Sequence, residues 1–222
     1  MTVPPIPSQR SPRVRIGEGG GLRQTAAPAR QHFDAAFYRR FYVDRRTRVS
    51  SRAAVARLAS FVRAYLGYLE IPVRSILDAG CGIGFWRDAA RELWPRARYH
   101  GLEISDYLCR RYGWTCASIV DYKPGRQSDL IVCQSVLQYL SDHDAARAIE
   151  TLSTLARGAV YLEVPTTEDW RDICDRRRTD ATVRLRSAQW YRRRLARHFV
   201  AAGGGLFVAR SAAVLYALER TG

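Results

Sequence analysis

The residues best placed to do chemistry lie in one stretch, Ser75-Ile76-Leu77-Asp78-Ala79-Gly80-Cys81-Gly82-Ile83-Gly84-Phe85-Trp86. An apolar run meets an acid at Asp78, glycines follow at Gly80, Gly82 and Gly84, and a helix-like segment opens at Phe85. A strand that ends in a glycine-rich turn and opens into a helix is a nucleotide cradle. Glycine lets the backbone approach a ligand where a Cβ would collide. The dinucleotide fingerprint, G-x-G-x-x-G, aims its helix at a pyrophosphate. Here the third glycine comes one residue early and an acid precedes the first. A carboxylate suits an ammonium group and repels a pyrophosphate. The second candidate is Glu103, at the end of the strand-like run Arg98-Tyr99-His100-Gly101-Leu102. An acid ~20 residues beyond a glycine turn can accept from both hydroxyls of a ribose.

A third segment, Ser128-Asp129-Leu130-Ile131-Val132-Cys133-Gln134-Ser135-Val136-Leu137-Gln138-Tyr139-Leu140, reads as a buried parallel strand and its exit loop. Together the three segments resemble the class I methyltransferases that use S-adenosylmethionine. The segments Tyr112 to Trp114 and Val136 to Leu140 also look like a narrower bacterial group of methyltransferases whose substrate is unassigned. The resemblance implies an α/β fold: a Rossmann-like, doubly wound, mostly parallel seven-stranded sheet with an antiparallel last strand and an N-terminal helical lid. It implies S-adenosyl-L-methionine as cofactor. Asp78 and Gly80 would hold its cationic amino-acid end, with Cys81, Gly82 and Gly84 completing the cradle. Glu103 and Ile104 would meet the ribose, and Gln134 and Ser135 would lie near the methyl donor. The adenine contact falls on Ser118 and Ile119, where relatives often carry an Asp; Asp121 is the alternative. A strand-end Glu contributes little to a core, so Glu103→Ala is expected to spare stability while weakening the cofactor.

The elements that must position these residues follow from punctuation and periodicity. Residues 1–31 carry Pro4, Pro5, Pro7, Pro12, Pro28 and the run Gly19 to Gly21, with few bulky apolar side chains. They read as a disordered basic tail; an organellar transit peptide or an early start codon are the other readings. Residues 32–222 form the methyltransferase domain, with a lid over about 33–70. Aromatics at Phe33, Phe37, Tyr38, Phe41 and Tyr42 share one helix face. Tyr38, Arg39 and Tyr42 are the lid candidates. Ser50 or Ser51 caps a helix running to about Tyr68. Phe85 to Leu93 is a helix ended by Pro95, and Ser105 caps a short one ending near Gly113. Trp114 to Val120 reads as the third strand. A helix over Asp142 to Leu155, capped by Ser141 or Asp142, leads to a fifth strand at Gly158 to Pro165. Another helix spans Ser187 to Phe199 and breaks at Gly203 to Gly205. Leu206 to Arg210 and Ala212 to Arg220 read as a closing strand pair.

Composition narrows the function classes. The chain has 222 residues, 47% of them hydrophobic, which suits one domain with its own core. No apolar run reaches the ~20 residues of a bilayer span. Cys81, Cys109, Cys116, Cys133 and Cys174 have no metal-like pairing, and no metal is expected. An odd count of cysteines without a secretory signal fits reduced thiols and a cytoplasmic location. The formal net charge is +15. Such a charge raises nucleic acid as a partner, and an RNA-binding methyltransferase or an inactive fold relative is the alternative reading. Lys123 is the only lysine, and the arginines spread over many helix faces, which favours a solvated basic surface.

The nucleophile half is fainter. Methyl transfer from a sulfonium is an in-line displacement at carbon, needing alignment, exclusion of water and, for some acceptors, a base. His143, Asp169 and Asp172 are the catalytic candidates, with Asp142 beside them. Asp169, Asp172 and Asp175 are spaced to share a helix face, which is also what an acidic helix start looks like. The segment after Gln134 lacks the box of enzymes that methylate planar amide nitrogens, and no Pro-Cys pair marks cytosine methylation. An oxygen or nitrogen of a small molecule is the favoured acceptor.

Overall fold

A computed structural model describes residues 33–221, so the 1–31 tail lies outside the described residues. Seven strands form one sheet: β1 (Ser75–Ala79), β2 (Arg98–Glu103), β3 (Thr115–Cys116), β4 (Ser128–Gln134), β5 (Ala156–Glu163), β6 (Phe199–Ala201) and β7 (Leu206–Ala209). Their order is β3-β2-β1-β4-β5-β7-β6. β1 to β5 are parallel, and β7 runs antiparallel to both of its neighbours. The expected sheet, antiparallel last strand included, is the one observed.

The period of two along each strand sorts the side chains between two layers. Leu77, Ile131, Cys133, Val160 and Leu162 pack with α5 (Asp142–Leu155) and α7 (Ala188–Leu195). Ile76, Leu130, Val132, Ala159 and Tyr161 pack on the other face with α2 (Arg52–Tyr68) and α3 (Phe85–Leu93). The same alternation carries Asp78, Gln134 and Glu163 onto the α2/α3 face at the carboxyl ends of β1, β4 and β5. Gln134 stands directly opposite Glu163 in the ladder. Open parallel sheets bind ligands at this edge.

α2 presents Val55, Ala59, Val62 and Leu66 to the core, all at most 2% exposed. It is therefore part of a sheet layer, whereas the lid expected over 33–70 included it. Ser51 is its cap, accepting from Ala54 N at 3.2 Å. Removing that acceptor in Ser51→Ala should cost about 1 kcal/mol. The thermal midpoint should fall by about 2–4 °C; an unchanged midpoint would mean that the cap is made by water.

Four expected elements differ. The third strand is only Thr115–Cys116. After Ala117 N donates to Glu103 O, the chain turns, with Val120 N bonded to Ser118 Oγ and Asp121 N to Ser118 O. The fifth strand starts two residues early, at Ala156. α7 stops at Leu195, and Phe199 begins β6. Gly203, Gly204 and Gly205 all adopt positive φ, so they form the β6–β7 hairpin turn rather than merely ending a helix. The closing pair is thus β6–β7, and Ala212 to Arg220 forms no strand.

Candidate active site

The site begins where β1 ends. Gly80, Gly82 and Gly84 stand at φ 78, 53 and 86. A Cβ on Gly80 would lie 2.3 Å from Val136 Cγ2, so a side chain at this position would collide with Val136. Gly80 N and Cys81 N both donate to Leu102 O at 2.9 Å, which locks the turn to β2. Gly84 then opens α3. At the end of β4, Ser135 is held at φ 57, left-handed for a residue with a side chain, by donating its N–H to Glu163 O at 2.8 Å.

A cavity of about 390 Å³ sits between this edge and α2. Asp78, Gly80, Gly82, Gln134, Ser135 and Glu163 form its sheet-edge wall, and Ser50 and Ala54 at the start of α2 face them. Among the described residues lining it there is no lysine or arginine, in a chain with 36 of them. Asp78 is 2% exposed, and its carboxylate accepts from the Tyr99 hydroxyl on β2. Burial pushes its pKa up to about 7, against the pull of the Tyr99 hydrogen bond. Trp86 Nε1 donates to Gln134 Oε1 at 2.8 Å, Gln134 Nε2 donates to Glu163 at 3.2 Å, and Tyr161 Oη donates to Glu163 Oε2 at 2.8 Å.

Glu103 is 3% exposed and lies outside this cavity. It accepts from Gly82 N at 2.8 Å, Ile104 N at 2.8 Å, Ser105 N at 3.0 Å and Tyr38 Oη at 3.3 Å. Tyr38 comes from α1 (Ala35–Tyr38), which runs into a π-helical turn, Arg39–Val43, rather than the single helix expected. Phe33, Phe37, Tyr38 and Phe41 are buried against Leu108 of α4 (Asp106–Tyr112), Ile104 and Tyr139. Trp114 completes the roof and donates Nε1 to Gly82 O at 2.9 Å. Arg39, by contrast, is exposed.

The family model described as "Methyltransferase domain" matches residues 38–212. The chain belongs to this family of methyltransferases. It is 31% identical over 103 residues to a trans-aconitate 2-methyltransferase of Azoarcus sp. (strain BH72). That match covers 43% of this chain and 40% of the relative, so the chain spans under half the length of this curated relative. Among solved structures, a sugar N-methyltransferase from Streptoalloteichus sp. ATCC 53650 superposes with a TM-score of 0.57 at 18% identity, over 88% of this chain and 98% of that one. The magnesium protoporphyrin IX methyltransferase of Synechocystis PCC 6803 gives 0.56 at 19% identity, over 82% and 95%. At these identities the structural likeness is one of fold.

Within this methyltransferase domain, Asp78, Gly80, Cys81, Gly82 and Gln134 meet at the cavity. Gly84, Glu103, Ile104, Ser118 and Ile119 do not line it. Ile119 is 4% exposed in the α5 layer, where a side chain serves packing rather than a base edge. The three catalytic candidates are also elsewhere. His143 is 77% exposed on the first turn of α5, 3.3 Å from Asp144. Asp169 is the return partner of a capping box on α6 (Thr167–Asp172), accepting from Thr166 N at 2.9 Å. Asp172 is paired with Arg171, which holds its carboxyl below the usual range, and Asp175 lies past the end of α6. Sequence reading missed Glu163, Tyr161, Trp86 and Trp114. Glu163 carried the same signal as Glu103, an acid ending an apolar strand.

Proposed function

We propose that the protein transfers a methyl group from S-adenosylmethionine to an oxygen or nitrogen of a small molecule. One observation carries this reading: a turn of three positive-φ glycines and a buried acid open together into a cavity with no cationic wall residue among those described. That is a fitting environment for a ligand with a cationic amino-acid end and a sulfonium. Asp78 would take the ammonium, and the Gly80–Gly82 backbone would lie along the amino-acid chain. The start of α2 at Ser50 would face the carboxylate, a placement that the helix dipole favours. The bound cofactor supplies an activated methyl carbon; the protein's part is to hold, orient and exclude water.

The ribose would reach Glu103 only after the Tyr38 hydroxyl leaves it, so the 33–43 segment is the proposed lid, hinged ahead of α2. Ile104, packed against this segment, would join the site on the adenosyl side. His143, Asp169 and Asp172 are not proposed as bases, because none of them lines the cavity. The acceptor in the Azoarcus relative's name, trans-aconitate, is not carried over to a cavity walled by Asp78 and Glu163. The nucleic-acid reading has only the net charge behind it. Many arginines are used locally: Arg194 lies 3.7 Å over Trp190, Arg87 5.0 Å over Trp114, and Arg186 is buried.

Titration calorimetry with S-adenosylhomocysteine tests the donor. Saturable binding with a micromolar constant is the expected result. A folded protein that takes up no ligand at millimolar concentration ends this reading.

A further inference from the structure

Among the described residues, Glu163 is a carboxylate with no cationic partner. It ends β5 on the cavity wall, and its hydrogen-bond partners are the neutral Tyr161 hydroxyl and the Gln134 amide. Among the described ion pairs none involves Glu163, although Asp88, Asp121, Asp129, Asp142, Asp144, Asp172 and Asp175 all pair with arginines. Its orientation is set from three elements: Tyr161 on its own strand, Gln134 across the ladder, and Trp86 of α3 behind Gln134. Glu163 is exposed to solvent, yet hydrogen bonds to both of its oxygens hold the carboxylate in one orientation on the cavity wall.

The donor accounts for one cavity acid and not for the second. Its ammonium matches Asp78 beside the glycine turn. Its sulfonium is a poor reason for Glu163, because positive charge leaves sulfur as the methyl transfers. A carboxylate serving sulfur alone would stabilise the ground state more than the transition state. The charge that departs from sulfur arrives on the accepting atom. A carboxylate at the carboxyl ends of β4 and β5 is rightly placed to meet it there if that atom is nitrogen.

We infer that Glu163, oriented by Tyr161 and Gln134, is the acceptor-recognition residue of this cavity and that the acceptor is a primary or secondary aliphatic amine. The inference rests on the donor proposed above. The amine enters as an ammonium ion, gives one proton to water and keeps an N–H directed at Glu163. Its lone pair forms the N–C bond while the C–S pair stays on sulfur, which becomes a thioether. The positive charge is then on the methylated nitrogen, facing Glu163, until a proton is lost to water. An acceptor carrying a carboxylate in place of the amine meets the like charge of Glu163 instead.

Sinefungin is the probe, since it carries an amine where the donor carries its methyl. Its dissociation constant is compared with those of S-adenosylhomocysteine and S-adenosylmethionine at pH 7.5, in the wild type, Glu163→Gln and Glu163→Asp. Wild type should prefer sinefungin to S-adenosylhomocysteine by about tenfold or more, as for a charge-assisted hydrogen bond. Glu163→Gln should bring that ratio close to one without moving the S-adenosylhomocysteine constant, which also reports an intact fold. Glu163→Asp, which keeps the charge but shortens its reach, should give an intermediate ratio and serves if the amide variant folds poorly. A ratio untouched in both variants overturns the inference. So does an equal loss of preference for S-adenosylmethionine over S-adenosylhomocysteine, which would assign Glu163 to the sulfonium. Absence of binding by all three ligands instead takes down the donor itself, and this inference with it.

Discussion

Glu103→Ala is expected to destabilise the ligand-free protein by about 2–4 kcal/mol, lowering its thermal midpoint by about 4–16 °C at 2–4 °C per kcal/mol. This reverses the expectation from sequence that the substitution would be silent without cofactor. The carboxylate is 3% exposed and accepts three backbone N–H groups and a tyrosine hydroxyl. Alanine would leave those donors facing an apolar cluster of Phe33, Phe37 and Trp114. An orphaned buried donor costs about 1–3 kcal/mol, and part of this returns if water enters the hole. The same substitution should weaken cofactor binding by on the order of 30- to 1000-fold, because two charge-assisted bonds to the ribose are lost. Denaturant unfolding of the ligand-free variant separates the two effects. A midpoint equal to the wild type's would show that Glu103 does not bind its own backbone and stands ready for ligand.

The reason that Glu103 was misjudged is general to what sequence shows. Its position was legible because a strand-end acid at the right distance from a glycine turn has a spacing. Its burial was not, because Tyr38 reaches it across 65 residues. The aromatic spacing of Phe33 to Tyr42 showed an apolar face and said nothing of what that face would cover. The central strands are legible in the sequence: β1, β4 and β5 are short apolar runs that end in a glycine turn, an amide or an acid. The errors fall where backbone direction depends on a few residues. Ser118 turns the chain by bonding Val120 N, which cuts β3 to two residues. Three successive positive-φ glycines make a hairpin, which moves the closing pair upstream.

The site divides along the same line. Asp78, Gly80, Cys81 and Gly82 belong to one continuous motif, legible by type and spacing, and they line the cavity. Residues that meet only through register were not legible. Glu163 faces Gln134 because β5 pairs with β4 at that level, and Trp86 reaches Gln134 from the far side of the glycine turn. The candidates for general base were picked because they lie after parallel strands. None of them lines the cavity: Asp169 holds a cap, Asp172 pairs with Arg171, and His143 is exposed beside Asp144.

Cofactor affinity should fall about tenfold for each pH unit below 7, and Asp78→Asn should abolish that slope. Burial raises Asp78 from 3.8 to about 7 in the ligand-free protein. In the proposed contact the amino-acid ammonium of the cofactor requires the ionised form, and below pH 7 the ammonium itself stays protonated. Below pH 7 the carboxylate must therefore lose its proton before it can pair, so binding is about a hundredfold weaker at pH 5 than at pH 7 or above. Stability runs the other way. An acid whose pKa is raised by folding contributes fully below its unfolded value of 3.8 and loses that contribution as pH rises through about 7. At pH 8 the ionised, buried Asp78 thus costs the ligand-free fold up to about 4 kcal/mol. Asn has nearly the same shape and can still accept from the Tyr99 hydroxyl, but it carries no charge to bury. Asp78→Asn should consequently raise ligand-free stability at pH 8 by about 1–3 kcal/mol while removing tight cofactor binding. Calorimetry from pH 5.5 to 8.5 and thermal unfolding at pH 8 read the two effects separately. A variant that is destabilised at pH 8, or that keeps the wild-type pH slope, would place the buried proton on some group other than Asp78.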